Sequence, residues 1–250
     1  MNDTLKTIGG LRSVHGNFSA RAIEDADVET IIGAAVRAAN ASARQSYSMI
    51  VLDDKEAMRE LTGYTGARMI VFCVDYSRIE ATSVRLGHGA FSVDLTEFVN
   101  GAMDTSFAAQ TAVIAAKSLG IDSLLTNGIH RAKLDRVYEI LGLPERLCFP
   151  LIALALGYPA EEPQGLKGRL CGAGVVHRGR YHHLTDEEAD SLNAEYDDES
   201  RNLGLNPGWK KQGFNHYLDW FYTKWSGKTP VEKQRELADR LRRCGFLDVE

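Results

Sequence analysis

Two short basic clusters carry the most chemistry in this sequence. Arg12-Ser13-Val14-His15 lies near the N-terminus, and Lys167-Gly168-Arg169 lies past the middle. Guanidinium and ammonium groups, with hydroxyl and backbone donors beside them, are the set that holds a phosphate monoester. Either cluster alone reads as solvated surface, because basic side chains are usually exposed. Together they read as the two ends of a phosphate clamp, assembled only where distant parts of the chain meet.

Other constellations are weaker. Gly87-His88-Gly89-Ala90-Phe91-Ser92 starts like a dinucleotide-binding loop but lacks the third glycine and a clear preceding strand. His177, His182 and His183 offer no third ligand at a suitable spacing, so no metal site is expected. Asp53-Asp54 and Glu161-Glu162 read as turn charges rather than acid/base pairs.

Around the clusters the pattern predicts alternating helices and short buried strands. Asp25 is placed to cap a helix from about Asp27 to Ala39, with Val28, Ile31, Ile32, Ala35 and Val36 on one face. Strands are expected at Met49–Leu52, Met69–Val74, Ile121–Leu125 and Leu151–Leu156. The clearest helix runs from Asp104 to Leu119, capped by Asp104 or Thr105. Its alanine-rich middle predicts burial among close neighbours. A further helix is expected from Arg131 to Leu141, ended by Gly142.

The character changes after about residue 176. Thr185-Asp186-Glu187-Glu188 fits a capping box, and Thr229-Pro230-Val231-Glu232 predicts another helix start. Nine of the 21 aromatic residues fall between Tyr181 and Trp225, too few to make a core alone. The division expected is a core at 1–176 and an aromatic-rich helical extension at 177–250 that docks on the core or on a partner subunit.

Composition narrows the class. The chain has 250 residues, 44% hydrophobic and 25% charged, in the range of a globular protein. A net charge of −5, with no long basic run, argues against a nucleic-acid partner. The longest apolar stretch, Phe149 to Leu156, contains Pro150 and falls far short of the ~20 residues of a membrane span. Met1 to Gly10 lacks the apolar core of a signal peptide. Four scattered cysteines suggest reduced thiols and a cytoplasmic location.

The order of these segments resembles the FMN-dependent nitroreductase family. That family opens with an Arg-x-Ser-x-Arg-like motif and an aromatic soon after. Arg12-Ser13-Val14-His15-Gly16-Asn17-Phe18 is similar, with His15 where a second basic residue is usual and Leu11 where the motif's first Arg falls. The family's Pro-Ser-x-x-Asn-x-Gln-Pro-Trp segment resembles Ala39 to Tyr47. Gln45 and Tyr47 match, whereas Ala39, Ala43 and Ser46 depart, Ala43 replacing an Asn that commonly faces the flavin. Asp104 to Gly120 resembles the long central helix, Thr126-Asn127-Gly128-Ile129 the loop passing the flavin, and Leu154 to Pro163 the run before the second phosphate-binding pair.

The resemblance covers roughly residues 10 to 170. It implies an α+β fold, with a mixed, mainly antiparallel sheet flanked by helices, in an intertwined homodimer. It implies FMN held by Arg12, Ser13, His15, Asn40, Ala41, Ser42, Gln45, Thr126, Asn127, Gly128, Lys167 and Arg169. The activity implied is ping-pong electron transfer from NAD(P)H to a small aromatic, quinone-like or nitro acceptor. No catalytic side chain is nominated, because a flavin carries the redox chemistry itself. The alternatives are a flavin-binding sensor or reservoir without turnover, and specialised flavin chemistry such as reductive dehalogenation.

Overall fold

A computed structural model describes residues 1–163, 165–227 and 229–247. The chain forms two compact units, Met1–Pro163 joined by Val231–Glu250, and Gln164–Pro230.

The first unit is built on a four-stranded sheet, β1 (Tyr47–Leu52), β2 (Arg68–Asp75), β3 (Asp122–Thr126) and β4 (Cys148–Gly157), in the order β1-β2-β4-β3. All three pairings are antiparallel. The central strands β2 and β4 are covered on both faces, which is why they read as unbroken apolar runs rather than alternation. Pro150 sits in β4 at a register shift opposite Phe72 and Cys73, where a missing N–H is tolerated.

Helices α1 (Asp3–Gly9), α2 (Asp25–Ala35), α3 (Lys55–Thr62), α4 (Ser77–Arg85), α5 (Leu95–Ser118) and α6 (Leu134–Leu141) complete the order up to β4. Three of them, α1, α3 and α4, are not expected from the sequence pattern. The expected start of α5 at Asp104 is corrected. Asp94 caps it, its side chain accepting from Glu97 N, and Asp104 and Thr105 are buried in its interior. Asn100 and Gly101 disguise the first turns, since both are weak helix formers. Gly101 has a steric reason: a Cβ there would lie 2.5 Å from Val74 Cγ1. Ala108, Ala109, Ala112 and Ala116 then let α5 approach the sheet and α2 closely.

The helix α2 ends at Ala35 rather than Ala39, with Glu24 rather than Asp25 at its N-cap. The start of α6 moves from Arg131 to Leu134, while Gly142 caps it in the left-handed region at φ 62° as expected.

The second unit contains α7 (Asp186–Asp197) and a short helix, α8 (Tyr217–Trp220), that widens into a π-helical turn at Phe221–Trp225. Thr185 and Glu188 form the expected capping box. Trp209, Tyr217 and Trp220 are buried against Tyr196, Phe214, Leu218 and Phe221, so the aromatics make a small core of their own.

The last helix, α9 (Val231–Arg243), returns to the first unit, so the residues after 176 do not form one extension. Leu237, Leu241, Cys244 and Phe246 pack with Tyr138, Leu147 and Phe149, and Arg240 adds a buried charge. Its guanidinium is buried 3.8 Å over the Tyr138 ring, donates to Glu145 at 2.7 Å and also pairs with Asp135.

Candidate functional site

The N-terminal motif is an extended segment laid along the ends of β3 and β4. Val14 N donates to Ser123 O at 3.0 Å, Ser19 N to Tyr158 O at 2.7 Å and Ala160 N to Asn17 O at 2.9 Å. The Phe18 ring occupies the space where a Cβ on Gly157 would lie, 2.7 Å away, so this seat requires glycine. Extended backbone alternates its side chains. Val14 is buried, while Ser13 and His15 are exposed. The His15 ring lies 6.3 Å from that of Tyr64.

Arg12 points into the unit. Its Nη2 and Nε donate to Asp122 Oδ2 at 2.6 and 3.0 Å, and its Nη1 donates to Glu162 Oε1 at 2.6 Å. Lys117 Nζ takes the other Asp122 oxygen at 2.7 Å. Burial opposes ionisation of Asp122, but hydrogen bonds from Arg12 and Lys117 outweigh it and hold the carboxyl below its usual range. The charge of Arg12 is therefore matched within the first unit, and Ser13 and His15 are the members of the motif that face outward.

The second predicted segment is strained. Ser42, Ala43 and Gln45 have φ of 54°, 55° and 48°, the left-handed region that costs a side chain roughly 1–2 kcal/mol per residue. Asn40 Oδ1 accepts from Gln45 N at 3.1 Å, and the two carboxylate oxygens of Asp104 accept from Ala41 N at 2.8 Å and Ser46 N at 3.2 Å. From outside, Arg78 donates to Arg44 O and Gln45 O at 3.0 and 2.7 Å. Ser42 and Ala43 are left exposed.

The third segment follows β3. Gly128 N donates to Thr126 Oγ1 at 3.0 Å. A Cβ on Gly128 would stand 2.6 Å from Thr62 O. Asn127 is exposed, while Thr126 and Gly128 are buried. His130 Nε2 donates to Pro150 O at 3.0 Å, and burial lowers its imidazole pKa despite that bond. An open recess of about 440 Å³ has Arg59, Glu60, Thr62, Tyr64, Gly128 and Arg131 in its lining. Tyr64 thus links this loop to His15.

Lys167 and Arg169 belong to the second unit. Lys167 Nζ donates to Asn202 Oδ1 at 2.8 Å and Gly204 O at 2.5 Å, and Arg169 Nη1 donates to Gly168 O at 2.8 Å. Among the described residues these acceptors are all neutral, in contrast to the carboxylates that pair with Arg12. The glycine between Lys167 and Arg169 is required: a Cβ on Gly168 would fall 2.0 Å from Arg201 O.

Sequence reasoning missed Asp104 as a loop ligand, and it missed Asp122. Glu162 was visible only as a turn charge. No local signal marks them, because their partners are remote in the chain. Of the histidines near residue 180, His182 pairs with Glu188 at 2.9 Å.

Comparison with known proteins gives the relationship. The nitroreductase family model matches residues 9–158. An NADPH-flavin oxidoreductase of Vibrio harveyi is 33% identical over 200 residues, 76% of this chain and 80% of that protein. An FMN reductase (NADPH) of Bacillus subtilis is 33% identical over 203 residues, 77% and 80% of the two chains. Among solved structures, NfrA2 of B. megaterium aligns over 100% of both chains with a TM-score of 0.83 at 25% identity. The α+β architecture, the segment order and these matches agree: the chain belongs to the nitroreductase family.

Proposed function

We propose that this protein is an FMN-dependent NAD(P)H oxidoreductase. The observation that carries the reading beyond family membership is the pair Lys167 and Arg169, two cations with only neutral acceptors among the described residues. That donor set suits the phosphate of FMN. Ser13 and His15, turned outward on a seat built by β3 and β4, offer a hydroxyl and an imidazole to an anion. Arg12 acts differently in this reading: paired to Asp122 and Glu162, it fixes the backbone from which Ser13 and His15 project. Asn40, Ala41, Ser42 and Gln45, and the Thr126-Asn127-Gly128 loop, are assigned to the flavin ring and ribityl chain.

When bound, FMN supplies the redox chemistry, taking reducing equivalents from the nicotinamide donor and passing them to an acceptor in alternate half-reactions. The chain's own residues bind, orient and enclose. Relatives named as NADPH-flavin oxidoreductase, FMN reductase (NADPH) and oxygen-insensitive NADPH nitroreductase favour NADPH as donor, and free flavin or a nitro compound as acceptor. All three names describe turnover, which disfavours a passive sensor or reservoir. The test is steady-state NADPH oxidation by the FMN-loaded protein with flavin, quinone and nitroarene acceptors. No oxidation with any acceptor would return the reading to flavin binding alone.

We also propose a homodimer. Leu95, Val99, Met103 and Phe107, at intervals of four along α5, are 45%, 49%, 44% and 48% exposed. An apolar stripe on the longest helix marks an interaction surface. No described helix is long and apolar enough to cross a membrane. The four cysteines are free, the state a reducing compartment maintains, and the cytoplasm is proposed on that ground.

A further inference from the structure

The turn from Ala41 to Ser46 carries three left-handed residues, none of them Gly, Asn or Asp. Such backbone persists only where its surroundings over-determine it, and it gathers at functional sites. Here Asn40 and Arg78 hold the middle of the turn, and a buried carboxylate holds both its ends. Asp104 is 1% exposed and sits in the middle of α5, and both its oxygens are used, one at each end of the turn. Ala43, Arg44 and Gln45 alternate left, right and left, a conformation that converges successive N–H groups. Those groups are satisfied inside the protein: Arg44 N by Ala41 O, Gln45 N by Asn40 Oδ1 and Ser46 N by Asp104 Oδ2. With the amides turned in, Ser42 and Ala43 are turned out. Gly101, one helical turn before Asp104, brings α5 near enough; a Cβ there would lie 3.4 Å from Ser46 O.

We propose that Asp104 is a positioning residue of the flavin site, its carboxylate setting the strained 41–46 turn and hence where Asn40, Ser42 and Gln45 meet FMN. The proposal rests on the reading of this segment as part of that site. Asp104 touches no cofactor. It acts through two backbone amides from a rigid helix, which is how a site is held to a fraction of an ångström.

The experiment uses the full-length protein stripped of flavin. Asp104→Asn keeps one acceptor oxygen but turns an NH₂ group onto the other amide. Hydrogen–deuterium exchange of peptides covering 40–46 reports the turn without flavin, and titration with FMN reports the site. Asp104→Asn should speed exchange in this segment and raise the FMN dissociation constant about tenfold. Adding Ala43→Gly, which removes the left-handed penalty at that position, should restore much of the affinity. A purely structural Asp104 would show neither the affinity loss nor the rescue. If Asp104→Asn does not fold, Asp104→Glu keeps the buried charge, displaces it by one methylene and faces the same criteria. Faster exchange with unchanged FMN affinity, or no rescue by Ala43→Gly, would overturn the proposal while wild type still binds FMN. Failure of the wild-type protein to take up FMN would overturn the flavin reading and this proposal together.

Discussion

Gly128→Ala isolates one steric contact at the loop assigned to the flavin. The position has no left-handed φ, so alanine meets no backbone penalty, and only space decides the outcome. The new Cβ would sit 2.6 Å from Thr62 O, about 0.8 Å short of the 3.4 Å at which ordinary contact begins. Thr62 O is backbone at the end of α3 and cannot swing aside as a side chain does. Arg131 Nη2 and Thr126 Oγ1, each 3.1 Å away, close two further directions. Overpacking of this kind costs about 1–3 kcal/mol. For a chain of this size that lowers Tm by about 2–12 °C. The loop must also shift outward, carrying Asn127 with it, so FMN affinity should fall. Differential scanning fluorimetry with and without FMN, and a flavin titration, read both effects. Gly33→Ala is the control: Gly33 lies in α2 with nothing within 4 Å of the new Cβ, so alanine should stabilise by roughly 0.5–1 kcal/mol. A Gly128→Ala protein with wild-type Tm and wild-type FMN affinity would refute the contact and the loop's assignment.

Arg169→Ala should weaken FMN binding by about tenfold or more, the worth of a charge-assisted contact of roughly 1.5–3 kcal/mol, while Lys6→Ala leaves it unchanged; equal dissociation constants would remove Arg169 from the phosphate site. Arg12→Ala should differ by losing stability as well as affinity, because it strips a partner from buried Asp122. The loss should fall below the roughly 3–5 kcal/mol of a fully broken buried pair, since Lys117 remains. The His130 imidazole has a folded-state pKa below its ordinary 6.5, so the unfolded chain takes up its proton first as pH falls. Stability attributable to His130 is thus fully present above 6.5 and lost as pH drops from there towards the depressed folded value. Urea titrations across that window should show the loss in wild type and not in His130→Gln; superimposable curves would contradict it. The protein should sediment at twice 27.6 kDa, and Phe107→Glu should shift it towards monomer. A wild-type monomer with full flavin occupancy would contradict the dimer.

Much of the fold was legible because burial on two faces leaves an unmistakable trace. The strands β2 and β4 appear as apolar runs, and the alanines of α5 announce close neighbours. The start of α5 was hidden by Asn100 and Gly101, and Asp104 imitated a cap because an aspartate before an apolar run is the usual sign of one. Its real partners, Ala41 and Ser46, lie 63 and 58 residues away. Arg12 shows the same limit: the sequence identifies a basic residue in a phosphate motif, but not that Asp122 and Glu162, 110 and 150 residues distant, would claim its guanidinium. The return of α9 to the first unit was equally invisible, since Arg240 reads as a solvated charge until Tyr138, Asp135 and Glu145 surround it. Local pattern reports what a segment is, and only the fold reports which charges are left over for a ligand. Among the described residues Lys167 and Arg169 meet only neutral acceptors, whereas Arg12 meets two carboxylates.

The central claim is tested most directly by mixing the purified protein with NADPH in the absence of oxygen and following the flavin absorbance. The account predicts a yellow protein that releases FMN, not FAD, on denaturation, bleaches with NADPH, and regains its colour when a quinone or nitroarene is added. A protein that carries and takes up no FMN, or whose bound flavin stays oxidised in excess NADPH and NADH alike, would contradict it.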